Sequence, residues 1–339
     1  MEKLKSFKGD KTWQELLLDY ALYIILVIMI IGVIAADPTF LSKNNFLKIL
    51  AQASTRGILA LGVAGMIVLA GTDLSAGRIL GCGAAISASL LQSVTYASRM
   101  YPQITEPLPL VLPLLLSIVV CVAFCLLNGF GVAKLHMHAF IISLGTQLIA
   151  YGALCLYIDS QKGGAQPIAS LDPRYIELVN GYWLGIPHLV YFMVICAVIM
   201  WFVWNKTSFG KNMFAVGSNP EAANVSGVNV ARTTILVHTL AGSLYGITGF
   251  IESARIGSNQ ANTGLNYECD AIAACVIGGV SFVGGTGKIG GVVLGVFILR
   301  IIFVALNFLS INQNLQYIIK GLIILIACSI DMRKYLTRK

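Results

Sequence analysis

The stretch Ala70-Gly-Thr-Asp-Leu-Ser-Ala-Gly77 lies between two apolar runs, at 57–71 and 79–97, and decides the fold class. If those runs cross a membrane, the stretch brings an acid and two hydroxyls to a depth where unpaired polar groups are costly. The whole chain fits that condition, because 57% of its 339 residues are hydrophobic and 11% are charged. A water-soluble domain could not cover that composition, with its mean hydropathy of +0.81, with polar surface. We therefore predict an all-α, polytopic transmembrane helical bundle with discontinuous segments.

Cutting the chain at its polar breaks predicts about ten spanning segments. Their bounds are 20–36, 57–71, 79–97, 109–127, 139–157, 187–204, 233–250, 269–283, 289–308 and 313–330. Lysines and arginines cluster before the first span and after the last, and such residues favour the cytoplasmic side of a membrane. We therefore expect both termini in the cytoplasm. The predicted organisation is a leader at 1–19, a transmembrane domain at 20–332, and a basic tail at 333–339.

The break at 70–77 has two compatible interpretations. Discontinuous helices mark the substrate route in membrane transporters, where hydroxyl and carboxylate groups could meet a sugar. Alternatively, the break is a tight turn at the end of a span, in which Asp73 caps the next helix through its backbone amides. The candidate residues of a polar route, in this break and elsewhere in the chain, are Thr72, Asp73, Ser75, Gln52, Ser54, Asn266 and Ser281.

A second glycine-rich break, Gly278-Gly-Val-Ser-Phe-Val-Gly-Gly-Thr-Gly-Lys-Ile-Gly-Gly291, contains part of a phosphate-loop pattern. That pattern, G-x-x-x-x-G-K-[ST], needs glycine where Phe282 stands and serine or threonine where Ile289 stands. We therefore predict no nucleotide site in this chain. We also predict no metal site and no cofactor, and no nucleophile–base or paired-carboxylate arrangement indicates an enzyme.

The polar connection at 205–232 is expected on the cytoplasmic side and contains a predicted short helix. Asn219 can cap that helix, Pro220 can open its first turn, and Glu221 suits its positive end. Gly227 can end it. A short helix on this surface is what a groove on a partner could grip. The residues of this candidate docking surface are Gly217, Asn219, Pro220, Glu221, Ala222, Ala223 and Gly227.

The spacing Glu221-Ala-Ala-x-x-x-Gly227 is similar to the EAA motif of ABC-importer permeases. The longer strings Phe214-Ala-Val-Gly-Ser-Asn-Pro-Glu-Ala-Ala, Gly71-Thr-Asp-Leu-Ser-Ala-Gly77 and Ala271-Ile-Ala-Ala-Cys-Val-Ile-Gly-Gly279 resemble the ribose/galactose branch of that family. The resemblance runs nearly end to end. Within the branch, the form of residues 70–77 resembles the galactoside subgroup.

The resemblance implies an inner-membrane permease that imports a monosaccharide, with galactose favoured over ribose. It implies a homodimer that encloses the sugar route, and a separate cytoplasmic ATPase subunit that binds ATP. That ATPase would dock on the helix that contains Glu221. The resemblance also implies a periplasmic sugar-binding protein. Nucleic acid is not an expected partner, because the lysines and arginines that give the formal net charge of +8 are interpreted as membrane-topology signals.

Two alternatives to an ATP-driven sugar permease stay open on the residues themselves. An ion-coupled carrier could use an intramembrane acid such as Asp73 or Asp270 to relay the ion. A membrane-embedded enzyme would modify its solute.

The sequence also predicts two local structural features. Glu252 and Arg255 are three residues apart, so they can pair on one helix. Repeated G-x-x-x-G spacings, such as Gly242 to Gly246, predict close helix packing.

Overall fold

The computed structural model describes residues 27, 29–35, 37–161 and 164–336, and within that part the fold is almost entirely helical. Residues 29–35 are helical, and a 3-10 helix follows at Pro38–Leu41. The remaining helices are α1 (Lys43–Val68), α2 (Ala76–Leu90), α3 (Val111–Leu135), α4 (Ala139–Asp159), α5 (Pro173–Asn180), α6 (His188–Lys206), α7 (Ser208–Ser218), α8 (Pro220–Val225), α9 (Val230–Ile256), α10 (Tyr267–Ile277), α11 (Ile289–Phe308) and α12 (Gln313–Leu336). A two-residue hairpin, β1 (Tyr182–Trp183) with β2 (Ile186–Pro187), precedes α6. The predicted all-α class is confirmed.

Six of the described helices are long and apolar enough to cross a membrane. They are α1, α3, α4, α6, α9 and α11, and α2 and residues 313–329 of α12 are shorter apolar helices. The chain is thus a multi-pass membrane protein, while the count of about ten spans stays a prediction. The predicted leader at 1–19, the start of the first predicted span and the end of the predicted tail lie outside the described residues.

The long helices divide into a central and a peripheral set. In the apolar windows of α1, α9 and α11, 83%, 67% and 61% of the residues are buried inside the protein. In α3, α4 and α6 the corresponding shares are 28%, 22% and 28%. The peripheral helices therefore present side chains such as Leu148 and Ile195 outward, 67% and 56% exposed. Apolar side chains on the outside of a helical bundle are what a lipid environment requires.

Two short helices, α2 and α10, begin inside the bundle and not at one of its ends. The segment before α2 contains the buried Asp73, which contacts Tyr245 in the middle of α9. The start of α2 in turn contacts the segment before α10, so closely that a β-carbon at Gly77 would overlap the carbonyl oxygen of Gly264. The discontinuous segments predicted from the sequence are therefore present. Their irregular backbone lies among other helices, as it must within a membrane.

Some predicted boundaries are wrong. Helix α1 begins at Lys43 and not at 57, because Lys48 and Arg56 lie within the helix where they were interpreted as a polar break. The segment predicted at 269–283 ends as a helix at Ile277, close to Gly279, whose φ of +82° does not belong to a right-handed helix. By contrast, the predicted span at 289–308 has the bounds of α11.

The predicted close packing at G-x-x-x-G spacings is confirmed for α9 against α3. A β-carbon at Gly242 would lie 2.8 Å from the α-carbon of Val122, and one at Gly246 would lie 2.5 Å from the α-carbon of Ile118. Real β-carbons do not approach backbone atoms this closely, so the two helices can only touch here through glycine. This contact places the middle of α9 beside α3, where the polar residues described next come together.

Candidate functional site

A cavity of about 900 Å³ opens beside α8 and reaches toward the break before α2. Its walls combine the break, the end of α3, the turn before α4, α8 and the first half of α9. The polar residues on these walls include Thr72, Asp73, Asn128, Ser143, Glu221, Asn224 and His238. The structure thus brings Thr72 and Asp73, predicted on a solute route, to the same cavity as Pro220, Glu221 and Gly227, predicted on a docking surface.

The end of this cavity is fixed by a buried hydrogen-bond network around Asp73. Oδ1 of Asp73 accepts hydrogen bonds from the backbone N–H of Ser75 at 2.8 Å and from its hydroxyl at 2.5 Å. Oδ2 accepts one from the Tyr245 hydroxyl at 3.0 Å. Asn128 donates to the hydroxyl of Ser75 at 2.9 Å, and Thr146 donates to Asn128 at 2.6 Å. The network joins the break to α3, α4 and α9, and connected hydrogen bonds in a buried site strengthen one another.

These contacts bear on the two interpretations of the break, as part of a solute route and as a turn in which Asp73 caps α2. Asp73 does accept a hydrogen bond from a backbone N–H, but the N-cap position of α2 is Ser75, so the predicted cap is wrong in its position. Asp73 and Ser75 are buried. Thr72 is half-buried on the cavity wall, where its carbonyl accepts a hydrogen bond from Ser143 at 3.3 Å. Of these three residues, Thr72 is the one whose side chain is accessible to a solute.

Residues of this site that were not predicted from the sequence include Asn128, His238 and Tyr245. Asn128 interrupts the apolar second half of α3, while His238 and Tyr245 lie in α9 among other polar residues, so a polar group within a spanning helix was the available signal. His238 is 6% exposed on the cavity wall, and its Nδ1 lies 2.8 Å from the carbonyl oxygen of Thr234 in the preceding turn. The polar wall of the cavity therefore includes residues of α3 and α9 as well as the break.

Helix α8 has the ends that its sequence predicted. Oδ1 of Asn219 accepts a hydrogen bond from the N–H of Ala222 at 3.0 Å, and Pro220 opens the helix. The helix ends at Val225, and Gly227 follows with a φ of +85°, a conformation that favours glycine. Val225 is 90% exposed, so α8 presents an apolar side chain outward.

The end of α7 touches the end of α1, just before the first break, and the second break. The N–H of Gly285, in the second break, donates to the carbonyl oxygen of Val68 at the end of α1, at 2.8 Å. A β-carbon at Gly217 would overlap that same carbonyl oxygen. Gly284 has a φ of +90° and lies against Gly217 and Ala70. The end of α7 is therefore in direct contact with the end of α1 and with the second break. We call these contacts the junction.

The other residues predicted on the route lie elsewhere. Gln52 accepts a hydrogen bond from Nε of Arg300 at 2.8 Å. Ser54 is fully buried, and its hydroxyl donates to a carbonyl one turn earlier in α1 at 2.7 Å. Ser281 donates to the carboxylate of Asp331 in α12 at 3.0 Å. These three residues are not among those that line the 900 Å³ cavity.

Asn266 lines a second pocket, of about 260 Å³, at the end of the bundle opposite α8. Charged residues surround this second pocket. Next to this pocket, behind Arg56, the predicted pair is confirmed: Arg255 donates to both oxygens of the fully buried Glu252, at 2.7 and 2.8 Å. The hydroxyl of Tyr267 donates to Glu252 at 2.7 Å, and Lys320 pairs with Asp270 at 2.5 Å.

Lipid-facing helices around a deep polar cavity, with broken helices at its inner end, define a membrane permease. Comparison with known proteins identifies which kind. The chain belongs to the family described as branched-chain amino acid transport system / permease component, which matches residues 45–328. The family-level resemblance to transport permeases is confirmed.

Three relatives are similar over most of their length. The galactose/methyl galactoside import permease protein of Haemophilus influenzae is 44% identical over 100% of this chain and 99% of its own. The ribose import permease protein of Bacillus subtilis is 35% identical over 91% of each chain. The L-arabinose transport system permease protein of Escherichia coli is 32% identical over 97% of this chain and 94% of its own. No solved structure matches this chain.

Proposed function

We propose that this chain is the permease subunit of an ATP-driven importer for galactose or a methyl galactoside in the bacterial inner membrane. The identity of 44% to a galactose/methyl galactoside permease, against 35% to a ribose permease, supports this choice of sugar. A homodimer of this chain encloses the sugar route, with both termini in the cytoplasm. A separate ATPase subunit binds and hydrolyses ATP, and a periplasmic binding protein delivers the sugar.

The observation that carries the proposal is the shared position of the break and the docking surface. Thr72 and Glu221 line one cavity, and Gly217 packs on the ends of both breaks. ATP binding closes the ATPase subunits and displaces α8, which moves α7 against the junction. The segments at 69–75 and 278–288 then rearrange, and the sugar passes inward without chemical change. Such hinged rearrangement of packed elements is a common form of transport switch.

The transport activity is tested in proteoliposomes that contain the chain, its ATPase and its binding protein. We expect galactose uptake to require ATP on the ATPase side and to persist when ion gradients are collapsed. Uptake that survives ATP depletion but needs an ion gradient would instead establish an ion-coupled carrier. Preferential uptake of ribose would keep the ATP-driven class but overturn the sugar assignment. Recovery of a modified sugar would identify a membrane enzyme.

The docking surface is tested by Val225→Asp, which puts a charge on the exposed apolar position of α8. Desolvating an unpaired charge in an interface costs several kcal/mol, so the ATPase should no longer co-purify with the variant and uptake should fall. Leu184→Asp is the matched control, because Leu184 is 80% exposed in the hairpin between β1 and β2. Full ATPase association in Val225→Asp would remove α8 from the docking surface.

A further inference from the structure

The second pocket is lined by groups of three kinds. Its charged residues come from α1, α10, α11 and α12, and side-chain amides and aromatic rings complete the wall. The polar and aromatic lining residues that matter here are Arg56, Asp270, Asn307, Gln313, Tyr317 and Lys320. Arg56 lies in the interior of α1, and Asp270 in the first turn of α10. Ionisable groups at membrane depth are costly and usually mark a functional site.

The guanidinium of Arg56 lies over the ring of Tyr267, 2.9 Å from the ring centroid, and part of its hydrogen-bonding capacity is unused. Its Nε and Nη1 are buried and, among the residues that the structure describes, have no hydrogen-bond partner. The nearest acids lie at ion-pair distance only, Glu252 at 3.7 Å and Asp270 at 3.8 Å. A buried donor without an acceptor is costly, and the Arg56 side chain, which also lines the pocket, would relieve that cost by turning toward the acceptor oxygens of a ligand there.

The pocket offers acceptors as well as donors. Asp270 contributes a carboxylate whose Oδ1 pairs with Lys320 at 2.5 Å, and Asn307 contributes an amide whose oxygen also accepts a hydrogen bond from Gln316 at 2.8 Å. Gln313 contributes a carbonyl oxygen and an NH₂ group. Acceptor groups repel an anion but suit a hydroxyl, which both donates and accepts. The combination of hydrogen-bond donors and acceptors on the pocket wall therefore favours a neutral polyhydroxyl ligand over a carboxylate or phosphate, although the cations around the pocket outnumber the acids.

The aromatic rings and the volume of the pocket restrict the class of ligand further. Tyr317 is 46% exposed on the wall of the pocket, and Phe303 lies beside it. The face of an aromatic ring carries negative potential and attracts the C–H groups on one side of a pyranose ring. The volume of about 260 Å³ is below the range of about 300–1,000 Å³ that is typical for drug-sized ligands. A single monosaccharide suits this volume.

We propose that the second pocket is a monosaccharide-binding site at the end of the permease opposite α8. Arg56 and Asp270 hydrogen-bond the sugar hydroxyls, Asn307 and Gln313 line the mouth, and Tyr317 stacks on the ring. This inference rests on the proposed import of galactose, and adds that the permease itself binds the sugar before it reaches the 900 Å³ cavity. The two sites lie at opposite ends of the bundle.

The test is saturation-transfer NMR on the full chain in nanodiscs, with methyl β-galactoside as the probe. We expect a signal that galactose competes away and that inorganic phosphate leaves unchanged. Asn307→Trp fills the mouth and should abolish the signal. Gln313→Leu removes one amide and should weaken binding about threefold to tenfold, the effect of one hydrogen bond. Asn314→Trp and Asn314→Leu are the controls, because Asn314 is exposed on the same turn of α12 and does not line the pocket.

Three results would overturn this site. The first is no signal with the wild-type chain, and the second is full binding by both pocket variants when the controls also bind. The third is competition by phosphate, which would identify an anion site. The uptake assay separates this failure from failure of the proposed function. ATP-driven galactose uptake without a pocket signal removes only the second site, whereas absence of that uptake removes the function whatever the NMR shows.

Discussion

Asp172 shows how single residues fix the polar connection between α4 and α6. Its backbone N–H donates to the carbonyl oxygen of Leu91 at 2.7 Å, which ties the start of α5 to the end of α2. Its Oδ1 accepts a hydrogen bond from the N–H of Arg174 at 2.9 Å, and its Oδ2 pairs with the Arg174 guanidinium at 2.7 Å. The hydrogen bond from the Arg174 side chain lowers the pKa of Asp172 below its usual value.

Asp172→Asn keeps the backbone contact but removes the charge, and should lower the melting temperature slightly. The Arg174 side chain is 54% exposed, so solvent screening limits the effect to about 0.2–1 kcal/mol. Because the folded-state pKa is depressed, the stabilisation is present above the unfolded pKa of about 4. It is lost as pH falls through the folded value. Melting curves of both proteins should therefore converge at acid pH. The exposed Asp159→Asn should match wild type throughout, and a constant difference for Asp172→Asn would refute the ionic contribution.

Replacement of Glu252 should destabilise the folded chain. It is fully buried, and Arg255, Tyr267 and Arg56 surround its carboxylate. Glu252→Gln leaves the half-buried Arg56 and Arg255 without this counter-charge, and breaking a buried ion pair costs about 3–5 kcal/mol. We expect a strong loss of thermal stability in detergent. Glu177→Gln, at an exposed position of α5, is the control, and equal melting temperatures for the two variants would show that the arginines find other partners.

At the scale of elements, the junction depends on Gly217. A methyl group there would collide with the end of α1, and overpacking of this kind costs about 1–3 kcal/mol. We expect Gly217→Ala to separate α7 from the breaks, so that ATP hydrolysis continues while sugar uptake falls. Gly290→Ala is the control, because a β-carbon at Gly290 has no neighbour within 4 Å. Parallel measurements of ATPase activity and sugar uptake test whether the two activities are separated. Unchanged uptake by Gly217→Ala would mean that the junction transmits no movement.

The elements differ in how well their sequences predicted them. Helix α8 was predictable because Asn219, Pro220 and Gly227 act through local backbone geometry. Helix α7 was missed, since its residues are mixed in polarity and its burial depends on contacts with distant segments. The start of α1 was misplaced because Arg56 is stabilised by Glu252 and Asp270, which are remote in sequence. Local signals thus located the breaks, but the partners that bury them appear only in the folded chain.

At the scale of the whole molecule, the structure is open at one end. The 900 Å³ cavity reaches the surface beside α8, while the start of α2 packs closely on the segment that precedes α10, between the cavity and the opposite end. If α8 faces the cytoplasm, this is an inward-open arrangement. A transporter must also adopt an arrangement in which that entrance is shut, so the accessibility of the cavity should change with the state of the ATPase.

Thr72→Cys, in a chain whose native cysteines are replaced, tests this change of access. Thr72 is half-buried on the cavity wall, so a small impermeant maleimide should label it from the cytoplasmic side when no nucleotide is bound. Trapping the ATPase with ATP should close the entrance and reduce the labelling rate, because the displaced α8 carries part of the cavity wall. Leu184→Cys, exposed in the hairpin, should label from the opposite side at a rate that ATP does not alter. Labelling of Thr72→Cys from the periplasmic side alone would reverse the orientation of the chain. Labelling from the cytoplasm at one rate in both states would mean that the cavity is a static recess and that the sugar takes another path.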